Sequence, residues 1–438
     1  MKTFRDTHGL ENIMPISRFG DARDWFFQRR FGLFIHWGLY SIGGWHEQEQ
    51  MRRPVSREDY AKWAALWNPA RFDPDSWLDA MQNAGMEYLC LTTKHHDGFC
   101  LWPSQFTDFH VGNTPDGRDI VQMVARACEK RGVPLCLYYS VADWKHPNYP
   151  NQGRHHELPP QHGDAPDWEK YVDFVRAQVR ELCTNYGQIS GFWWDMNVPE
   201  AVHPDVNALI RELQPSCVIN NRGFDEGDFG TPERDFDADP HLEFSRPTEA
   251  CQSVGVEAWG FRENEDFYSD GHLQRSIARF LARDANYLLN VGPRADGTLP
   301  EASLALLRRI GDWYHRVKDA FEGVELASFL TRNREILLTR RQNTLYVVLH
   351  REPLGSAVKL APIAALPTRA VLLNTGEDVE CEVAQLPSEW TSGKPCLRLK
   401  NLPVNTLFEA MIVRLEFAPD VRFEAAEKGE KGDSQFLR

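Results

Sequence analysis

Four strand-like segments of the sequence end in side chains that could do chemistry. Each is a short apolar run, rich in β-branched or aromatic residues: residues 30–38 (RFGLFIHWG), 88–102 (YLCLTTKHHDGFCLW), 134–140 (PLCLYYS) and 191–195 (GFWWD). A strand that is buried on both faces has this pattern when its carboxyl end delivers side chains to a site. The groups delivered are imidazoles, indoles, a phenol and one carboxylate, Asp195. This set favours a small polyhydroxylated ligand over a phosphate, a nucleic acid or a lipid.

Asp195 is the carboxylate around which a hydrolytic site would be built. Alternation along its strand predicts Trp193 and Asp195 on one face of the sheet, with Phe192 and Trp194 on the other. An acid that ends a buried strand loses solvation, so it needs a catalytic role or a cationic partner. Arg222, which ends a later strand-like run, could be that partner. The alternative is an ion-paired aspartate that only holds a loop.

Hydrolysis of a glycoside needs a second carboxyl group. A retaining enzyme places the two about 5–5.5 Å apart, and an inverting enzyme about 6.5–9.5 Å apart. The candidates, which could all lie on loops at one rim, are Glu47, Asp97, Glu233 and Glu249. Spacing along the chain does not choose among them. Glu233 lies in a loop-like stretch, DFGTPERDF, where by composition alone it would be a solvated charge.

Histidines are the second kind of candidate. His36, His95 and His96 follow strands and could line a pocket, where neutral imidazoles would bind sugar hydroxyls through one donor and one acceptor each. A zinc hydrolase is the alternative. Adjacent side chains of an extended chain point to opposite faces, which argues against one ion binding both His95 and His96, and no H-E-x-x-H motif is present. We therefore expect no metal and no cofactor. The pair at residues 155–156 lies in a Pro- and Gly-rich loop and is expected to face solvent.

Strand-like and helix-like segments alternate through roughly the first 320 residues. Helical patterns are predicted at residues 57–66, 77–84, 118–130, 168–186, 205–213, 272–284 and 304–317. Repeated β-then-α units imply parallel strands joined by crossover helices, and seven or eight of them favour a (β/α)8-like barrel. The active site of such a barrel lies at the carboxyl ends of its strands, where the polar clusters fall.

The composition changes after about residue 321. Short runs with period-2 or solid apolar patterns, separated by turn residues, predict an all-β module, most simply a sandwich. We therefore predict a catalytic (β/α)8-like barrel at residues 1–322 and a C-terminal β-sandwich at residues 323–420. The charged, apolar-poor stretch at residues 421–438 is predicted to be a disordered tail.

The composition of the 438-residue chain argues against some classes of binding partner. Its formal net charge of −14 argues against nucleic acid and against anionic membranes. The first thirty residues lack the apolar core of a signal peptide, and no apolar run approaches the length of a membrane span. The 9 cysteines are scattered singly, as is typical of a reduced cytoplasmic protein. We expect a cytoplasmic location; the oligomeric state stays open, with a homo-oligomer among the options.

Taken together, the segments resemble the α-L-fucosidases of glycoside hydrolase family 29. The matching text runs in order over about 260 residues: RRFGLFIHWGLYS, LTTKHHDGFCLWPSQFTDF, LYYS, FWWDMN, VINNR, DFGTPE and LLNVGPRADGTLP. The occurrence of FIHWG together with TTKHHDGF is specific to that family. The resemblance implies retaining hydrolysis of terminal α-L-fucose from fucosylated oligosaccharides or glycosides, without a metal. A sugar-binding protein on the same fold, and a glycosidase for a related sugar such as an L-galactoside, are the alternatives.

The resemblance also implies roles for individual residues. Asp195 aligns with the family's nucleophile and Glu233 with its acid/base, with Glu249 as second choice. The residues that align with those holding the fucose ring are His36, Glu47, His95, His96, Tyr138, Trp193 and Arg222. The chain departs from the family where WHEQEQ puts Gln48 in place of a tryptophan after Glu47. Trp45 is the candidate to supply the missing indole beside the fucose methyl group.

Overall fold

The computed structural model describes residues 16–53, 55–154, 156–196, 202–234, 244–389 and 393–426. Two structural units follow one another along the described chain. The first is a parallel sheet with helices between its strands, and the second consists of antiparallel sheets.

The parallel sheet carries the candidate site. Its strands within the described residues are β1 (Phe31–Ile35), β2 (Tyr88–Lys94), β3 (Leu135–Ser140), β4 (Gly191–Asp195), β5 (Val218–Ile219), β6 (Glu249–Ser253) and β7 (Asn286–Val291). Their spatial order is β5-β4-β3-β2-β1-β7-β6, so each of the first five lies beside its neighbour in sequence. This is the order that successive β-α units produce. The curled parallel sheet confirms the predicted (β/α)8-like barrel.

The segment at residues 229–233 joins the two edges of this sheet. Phe229 forms a parallel bridge with Asn220, just beyond β5, and Glu233 forms one with Cys251 of β6. These are isolated bridges rather than a continuous strand. The segment therefore occupies the eighth position of the barrel, and this position brings Glu233 to the wall of the barrel.

Helices connect the strands and cover the outside of the sheet. They are α1 (Trp25–Gln28), α2 (Tyr40–Gly43), α3 (Glu49–Arg52), α4 (Arg57–Ala61), α5 (Pro74–Asn83), α6 (Ile120–Arg131), α7 (Trp168–Asn185), α8 (Pro204–Leu213), α9 (Asp270–Leu281) and α10 (Glu301–Val317). The ends of α6 show how the sequence sets them. The Asp119 side chain accepts a hydrogen bond from the Gln122 amide at the first turn, and Gly132 ends the helix with φ +63°.

Alternation along β4 separates two packed layers. Phe192 and Trp194 belong to the large core between sheet and helices, whereas Trp193 lies inside the barrel with Phe34 and Tyr138. The two faces predicted for this strand are therefore confirmed. Because Asp195 shares the inner face, its carboxylate lies at the mouth of the barrel.

The second unit contains β8 (Glu325–Leu326), β9 (Leu337–Arg341), β10 (Thr344–Val348), β11 (Val358–Lys359), β12 (Arg369–Leu372), β13 (Glu380–Ala384), β14 (Cys396–Lys400) and β15 (Ile412–Glu416). They form a five-stranded sheet, β12-β15-β10-β9-β8, and a three-stranded sheet, β11-β14-β13. The unit packs on α10, where the Trp313 indole donates to the Ala410 carbonyl at 3.0 Å. The amide of Ala426 donates to the Phe329 carbonyl, so the start of the predicted tail packs on this unit. Residues 427–438 of that tail lie outside the described residues.

Strand β6 was not predicted, because its sequence EACQS is polar and lacks β-branched residues. All five of its residues are nevertheless buried. The barrel supplies partners for two of its polar side chains: Glu249 accepts from Tyr88 and Trp193, and Ser253 donates to the Ala258 carbonyl. Within the described residues, no helix is both long and apolar enough to cross a bilayer.

Candidate active site

A cavity of about 110 Å³ opens at the carboxyl ends of the barrel strands. Nine of the ten residues predicted for the site line it: His36, Glu47, His95, His96, Tyr138, Trp193, Asp195, Arg222 and Glu233. They come from seven different parts of the chain, which meet because every strand of a parallel barrel ends at the same rim. The structure thus brings the predicted set together around one pocket.

Asp195, the last residue of β4, is held by two donors. Its Oδ2 accepts a hydrogen bond from the Tyr138 hydroxyl at 2.8 Å, and its Oδ1 lies 3.2 Å from Nη1 of Arg222. Burial pushes the pKa of Asp195 upward, but the Arg222 guanidinium and the Tyr138 hydroxyl outweigh it, so this pKa lies below its ordinary value. The carboxylate is therefore ionised at neutral pH, as a nucleophile requires.

Arg222 connects the two predicted catalytic carboxyl groups. Its Nη1 also lies 3.0 Å from Oε2 of Glu233. The guanidinium is itself fixed by Thr231, whose hydroxyl and carbonyl accept from Nε and Nη2 at 2.7 and 3.0 Å. Its Cζ lies 4.9 Å from the centre of the Trp193 ring, in cation–π contact. One arginine therefore determines where both carboxyl groups meet.

His36 is oriented by the end of β7. The Asn290 amide nitrogen donates to the Ser253 hydroxyl and the Trp259 carbonyl, so its Oδ1 accepts from Nδ1 of His36 at 2.7 Å. This tautomer leaves Nε2 of His36 as an acceptor. Burial lowers the pKa of His36 to about 4, so the ring is neutral at neutral pH and can accept from a sugar hydroxyl.

The expectation that His95 and His96 point to opposite faces is wrong. Their rings lie 3.9 Å apart and both line the cavity, because β2 ends at Lys94 and the chain turns there. The Ser140 hydroxyl donates to the Ala142 carbonyl and accepts from Nδ1 of His96 at 2.7 Å. Nε2 of His96 is then an acceptor, 4.0 Å from Asp195. Burial lowers the pKa of His96 to about 3.

Trp45 does not line the cavity. Its ring instead packs under the Arg53 guanidinium, 4.0 Å from the ring centre. Trp259 lines the cavity in its place, with its ring centre 5.3 Å from that of His36. Glu47 holds this segment, because its Oε2 accepts from the backbone amides of Trp259 and Gly260 at 2.9 and 3.1 Å.

Two of the four carboxyl candidates do not lie at the rim. Glu249 begins β6 and lies inside the barrel, where it accepts from Tyr88 and from Trp193. Asp97 is 2% exposed and accepts from the Tyr60 hydroxyl at 2.7 Å and from a backbone amide. Burial raises the pKa of both groups, to about 7 for Glu249 and to about 6 for Asp97. Neither lines the cavity.

Six residues that line the cavity were not predicted: Phe34, Gln48, His156, Met196, Cys251 and Trp259. Phe34 carried a signal, because it lies two residues before His36 on the same face of β1. His156 was expected to face solvent, and this is wrong: its ring lies 6.2 Å from that of His96. Trp259 and Cys251 had no local signal, since both depend on how β6 and its following loop meet the rest of the barrel.

A metal site would need a cluster of ligands. Within the described ranges, no group of three or more His, Cys, Asp and Glu side chains is arranged to hold a metal ion. The Nδ1 atoms of His36 and His96 bond Asn290 and Ser140, which fixes the tautomers of the two rings.

Paired carboxyl groups with imidazoles and indoles, at the rim of a (β/α)8-like barrel, define the site of a glycoside hydrolase. Residues 15–319 match the family model described as Alpha-L-fucosidase. This match spans more than half of the chain, so the chain belongs to the α-L-fucosidase family. The resemblance read from the sequence is confirmed.

Relatives and solved structures agree with the family model. The structure of α-L-fucosidase isoenzyme 1 from Paenibacillus thiaminolyticus is 32% identical, with a TM-score of 0.79, covering 91% of this chain and 100% of that one. A family 29 α-L-fucosidase from Bacteroides thetaiotaomicron, with a trapped covalent intermediate, is 26% identical (TM-score 0.77; coverage 92% and 99%). The tissue α-L-fucosidase of Bos taurus is 25% identical over 81% of each chain. The chain is thus similar to α-L-fucosidases over nearly its whole length.

Proposed function

We propose that this protein removes terminal α-L-fucose from fucosylated glycans or glycosides with retention of configuration, using Asp195 as nucleophile and Glu233 as acid/base. One observation carries the assignment: both carboxyl groups contact the same nitrogen, Nη1 of Arg222. The trapped covalent intermediate of the similar Bacteroides enzyme supports a double displacement.

The spacing of the two groups supports retention. Oδ1 of Asp195 and Oε2 of Glu233 lie 3.2 and 3.0 Å from Nη1 of Arg222, so they are at most about 6.2 Å apart, the sum of the two distances. Retaining glycosidases hold their carboxyl groups about 5–5.5 Å apart, and inverting enzymes leave about 6.5–9.5 Å for a water. The greatest possible distance between these two oxygens is therefore shorter than the carboxyl separation of inverting enzymes.

In the first step an oxygen of Asp195 attacks the anomeric carbon while the glycosidic C–O bond breaks. Glu233 gives its proton to the leaving oxygen, which departs as an alcohol, and a fucosyl ester of Asp195 remains. In the second step Glu233 takes a proton from water, whose oxygen attacks the anomeric carbon and releases Asp195. Two inversions return the α anomer.

Glu233 must be protonated for the first step, although it pairs with Arg222 in this structure. Its side chain is 42% exposed. An ion pair with that exposure contributes at most about 1 kcal/mol, so breaking it costs little. The ion pair between Asp195 and Arg222 is more buried, since 17% of the Asp195 side chain is exposed. This pair remains when the contact between Glu233 and Arg222 breaks. The two carboxyl groups thus differ in exposure as their two roles require.

The cavity walls suit the two faces of a deoxy sugar. The neutral imidazoles of His36 and His96 supply acceptors for hydroxyl groups, and the Glu47 carboxylate supplies more. The aromatic rings of Phe34, Trp193 and Trp259 supply apolar surface for C–H groups, the methyl group included. Trp259 thereby takes the role that the sequence suggested for Trp45.

The first test is hydrolysis of 4-nitrophenyl α-L-fucoside by the wild type and by Asp195→Ala, with NMR of the anomer first released. We expect α-L-fucose from the wild type and a loss of several orders of magnitude in the variant. No turnover by a folded wild type would oppose the proposal and favour another sugar or a binding role.

Azide separates the two carboxyl roles. Glu233→Ala lacks the base of the second step, so azide should restore turnover and give α-fucosyl azide; Asp195→Ala should give the β anomer. Glu226→Ala is the matched control, because Glu226 precedes Glu233 in the same region and its side chain is 94% exposed. Glu226→Ala should keep wild-type activity without azide. A Glu233→Ala variant that behaves like this control would remove Glu233 from the mechanism.

We also propose that the protein works in a reducing compartment such as the cytoplasm. All nine cysteines are free thiols, and eight of them are buried. Structural disulfides persist in oxidising compartments and are rare in the cytosol. Cell fractionation with an antibody to the protein would test this, and recovery in an oxidising compartment would refute it.

A further inference from the structure

We propose that Glu249 is a positioning residue of the active site, whose buried carboxylate fixes the Trp193 indole and, through that ring, Tyr138 and Arg222. Both of these hold Asp195, so the inference rests on the proposed role of Asp195 as nucleophile. Glu249 does not line the cavity and takes no part in the mechanism described above.

The geometry places Glu249 behind the wall of the cavity. Its Oε1 accepts from Nε1 of Trp193 at 2.8 Å, and its Oε2 accepts from the Tyr88 hydroxyl at 2.6 Å. Only 3% of the residue is exposed. Trp193 lines the cavity, whereas Glu249 and Tyr88 lie in the barrel interior among apolar groups such as Phe26. The indole therefore separates the carboxylate from the substrate.

A carboxyl group is an expensive choice for this position. Burial disfavours its charged form and raises the pKa of Glu249 to about 7. An apolar residue at position 249 would avoid the cost of burying a charged group. The carboxylate does, however, offer two acceptors at a fixed angle, and the two donors that face it are satisfied together. The role of the carboxylate at this position is therefore the orientation that it imposes on Trp193.

Trp193 passes this orientation to the nucleophile along two contacts. Its ring stacks on that of Tyr138, with centroids 5.6 Å apart and planes 19° apart, and the Tyr138 hydroxyl donates to Asp195. The Arg222 guanidinium lies over the same indole and contacts Asp195 from the other side. If the indole rotated about its side-chain bonds, both groups that hold the nucleophile would lose their support.

Direct catalysis by Glu249 is incompatible with this arrangement. A general acid must come within hydrogen-bond reach of the glycosidic oxygen. Trp193 stands between Glu249 and the cavity, and both oxygens of Glu249 are already engaged. The carboxyl group can therefore affect the reaction only through the residues that it holds.

The test compares four variants by kinetics and crystal structure. Glu249→Leu removes both acceptors, and Glu249→Gln keeps one amide oxygen for Nε1 of Trp193. Trp193→Phe deletes the donor from the other side, and Tyr88→Phe, the control, deletes only the second donor. A misplacement of about 1 Å can cost about 100-fold in rate. We expect kcat/KM to fall about 10- to 100-fold in Glu249→Leu and by much less in Glu249→Gln. In Tyr88→Phe, kcat/KM should stay within about threefold of the wild-type value.

Two further readouts separate positioning from acid/base catalysis. The loss in Glu249→Leu should be the same for fucosides of a phenol and of an alcohol, and azide should not restore turnover. Combined with Trp193→Phe, Glu249→Leu should cost no more than the larger single change, because both break one contact. A loss that grows with poorer leaving groups, or that azide rescues, would overturn the proposal.

The crystal structures keep this test independent of the proposed function. We expect the Trp193 ring to be displaced in Glu249→Leu and to stay in place in Glu249→Gln. An unmoved ring in Glu249→Leu would overturn the positioning role whatever the activity. If the wild type and all variants are inactive on α-L-fucosides while the ring moves as expected, the fucosidase proposal fails and the positioning of Trp193 stands. If Glu249→Leu does not fold, Glu249→Gln and Trp193→Phe carry the comparison.

Discussion

Replacing Tyr138 by phenylalanine removes one of the two donors that hold Asp195, the proposed nucleophile, and changes little else. The Tyr138 hydroxyl donates to Oδ2 of Asp195 at 2.8 Å. The phenyl ring that remains keeps its stacking on Trp193, and Arg222 still contacts Oδ1. The variant therefore isolates a single charge-assisted hydrogen bond.

The magnitude follows from the energy of that bond. A hydrogen bond to a charged group contributes about 1.5–3 kcal/mol, and one pKa unit corresponds to about 1.4 kcal/mol. The pKa of Asp195 should therefore rise by about one to two units in Tyr138→Phe. As the proposed nucleophile, Asp195 works in its ionised form, so activity should be present above its pKa and lost as the pH falls through it. A higher pKa means that the loss begins at higher pH.

The assay is kcat/KM for 4-nitrophenyl α-L-fucoside across the acid and neutral range, with stopped samples read in alkali. The acid limb of the profile reports the free enzyme. Tyr139→Phe is the matched control, since the neighbouring hydroxyl donates to Gln178 on the outer face of the sheet, at 2.6 Å. Tyr139→Phe should leave the limb in place. Superimposable acid limbs for Tyr138→Phe and wild type would refute the reasoning about Asp195.

Three further changes test other parts of the site. Trp259→Ala should raise KM for aryl fucosides about tenfold or more with a smaller change in kcat, because it removes apolar surface from the wall beside His36. His156→Ala should raise KM by up to about tenfold, by the loss of one hydrogen-bonding group from the cavity, as measured by steady-state kinetics. Asp97→Asn should gain stability relative to wild type as the pH rises from about 4 to about 6, measured by thermal unfolding.

The sign for Asp97 follows from the raised pKa. The folded protein holds the Asp97 proton up to about pH 6, whereas the unfolded chain releases it near pH 4. Wild type therefore loses stability as the pH rises through this window, and the asparagine variant does not. Parallel pH curves for the two would contradict the buried, protonated state. For the two cavity variants, an effect on kcat with unchanged KM would contradict a role in binding.

The local pattern of the sequence predicted most of the barrel. Strands β1 to β4 and helices α6 and α7 repeat one unit, in which a short apolar run is followed by an amphipathic helix with recognisable ends. Strand β6 was not predicted, because its buried side chains are mostly polar and make polar contacts inside the barrel. Its residue Glu249 accepts from Tyr88 and Trp193, which lie 161 and 56 residues away in sequence.

The same division applies to the site. Side chains that leave the ends of strands, such as His36 and Asp195, could be assigned because alternation and the position of the strand end are local properties. Trp45 and the pair His95 and His96 were misplaced because a turn, rather than a strand, decides their direction. Trp259 could not be found at all, since the contact that brings it to the wall is with Glu47, 212 residues away.

The sequence by itself determined the barrel, the family and the set of groups that meet at one rim, because periodicity and strand ends are written in neighbouring residues. Only the tertiary structure decided which carboxyl groups reach the cavity and which lie behind its wall. Glu233 reaches the cavity because its segment fills the eighth position of the barrel, and Glu249 lies behind Trp193 because its strand starts deeper in the interior. Both placements depend on the closure of the sheet, which no local pattern encodes.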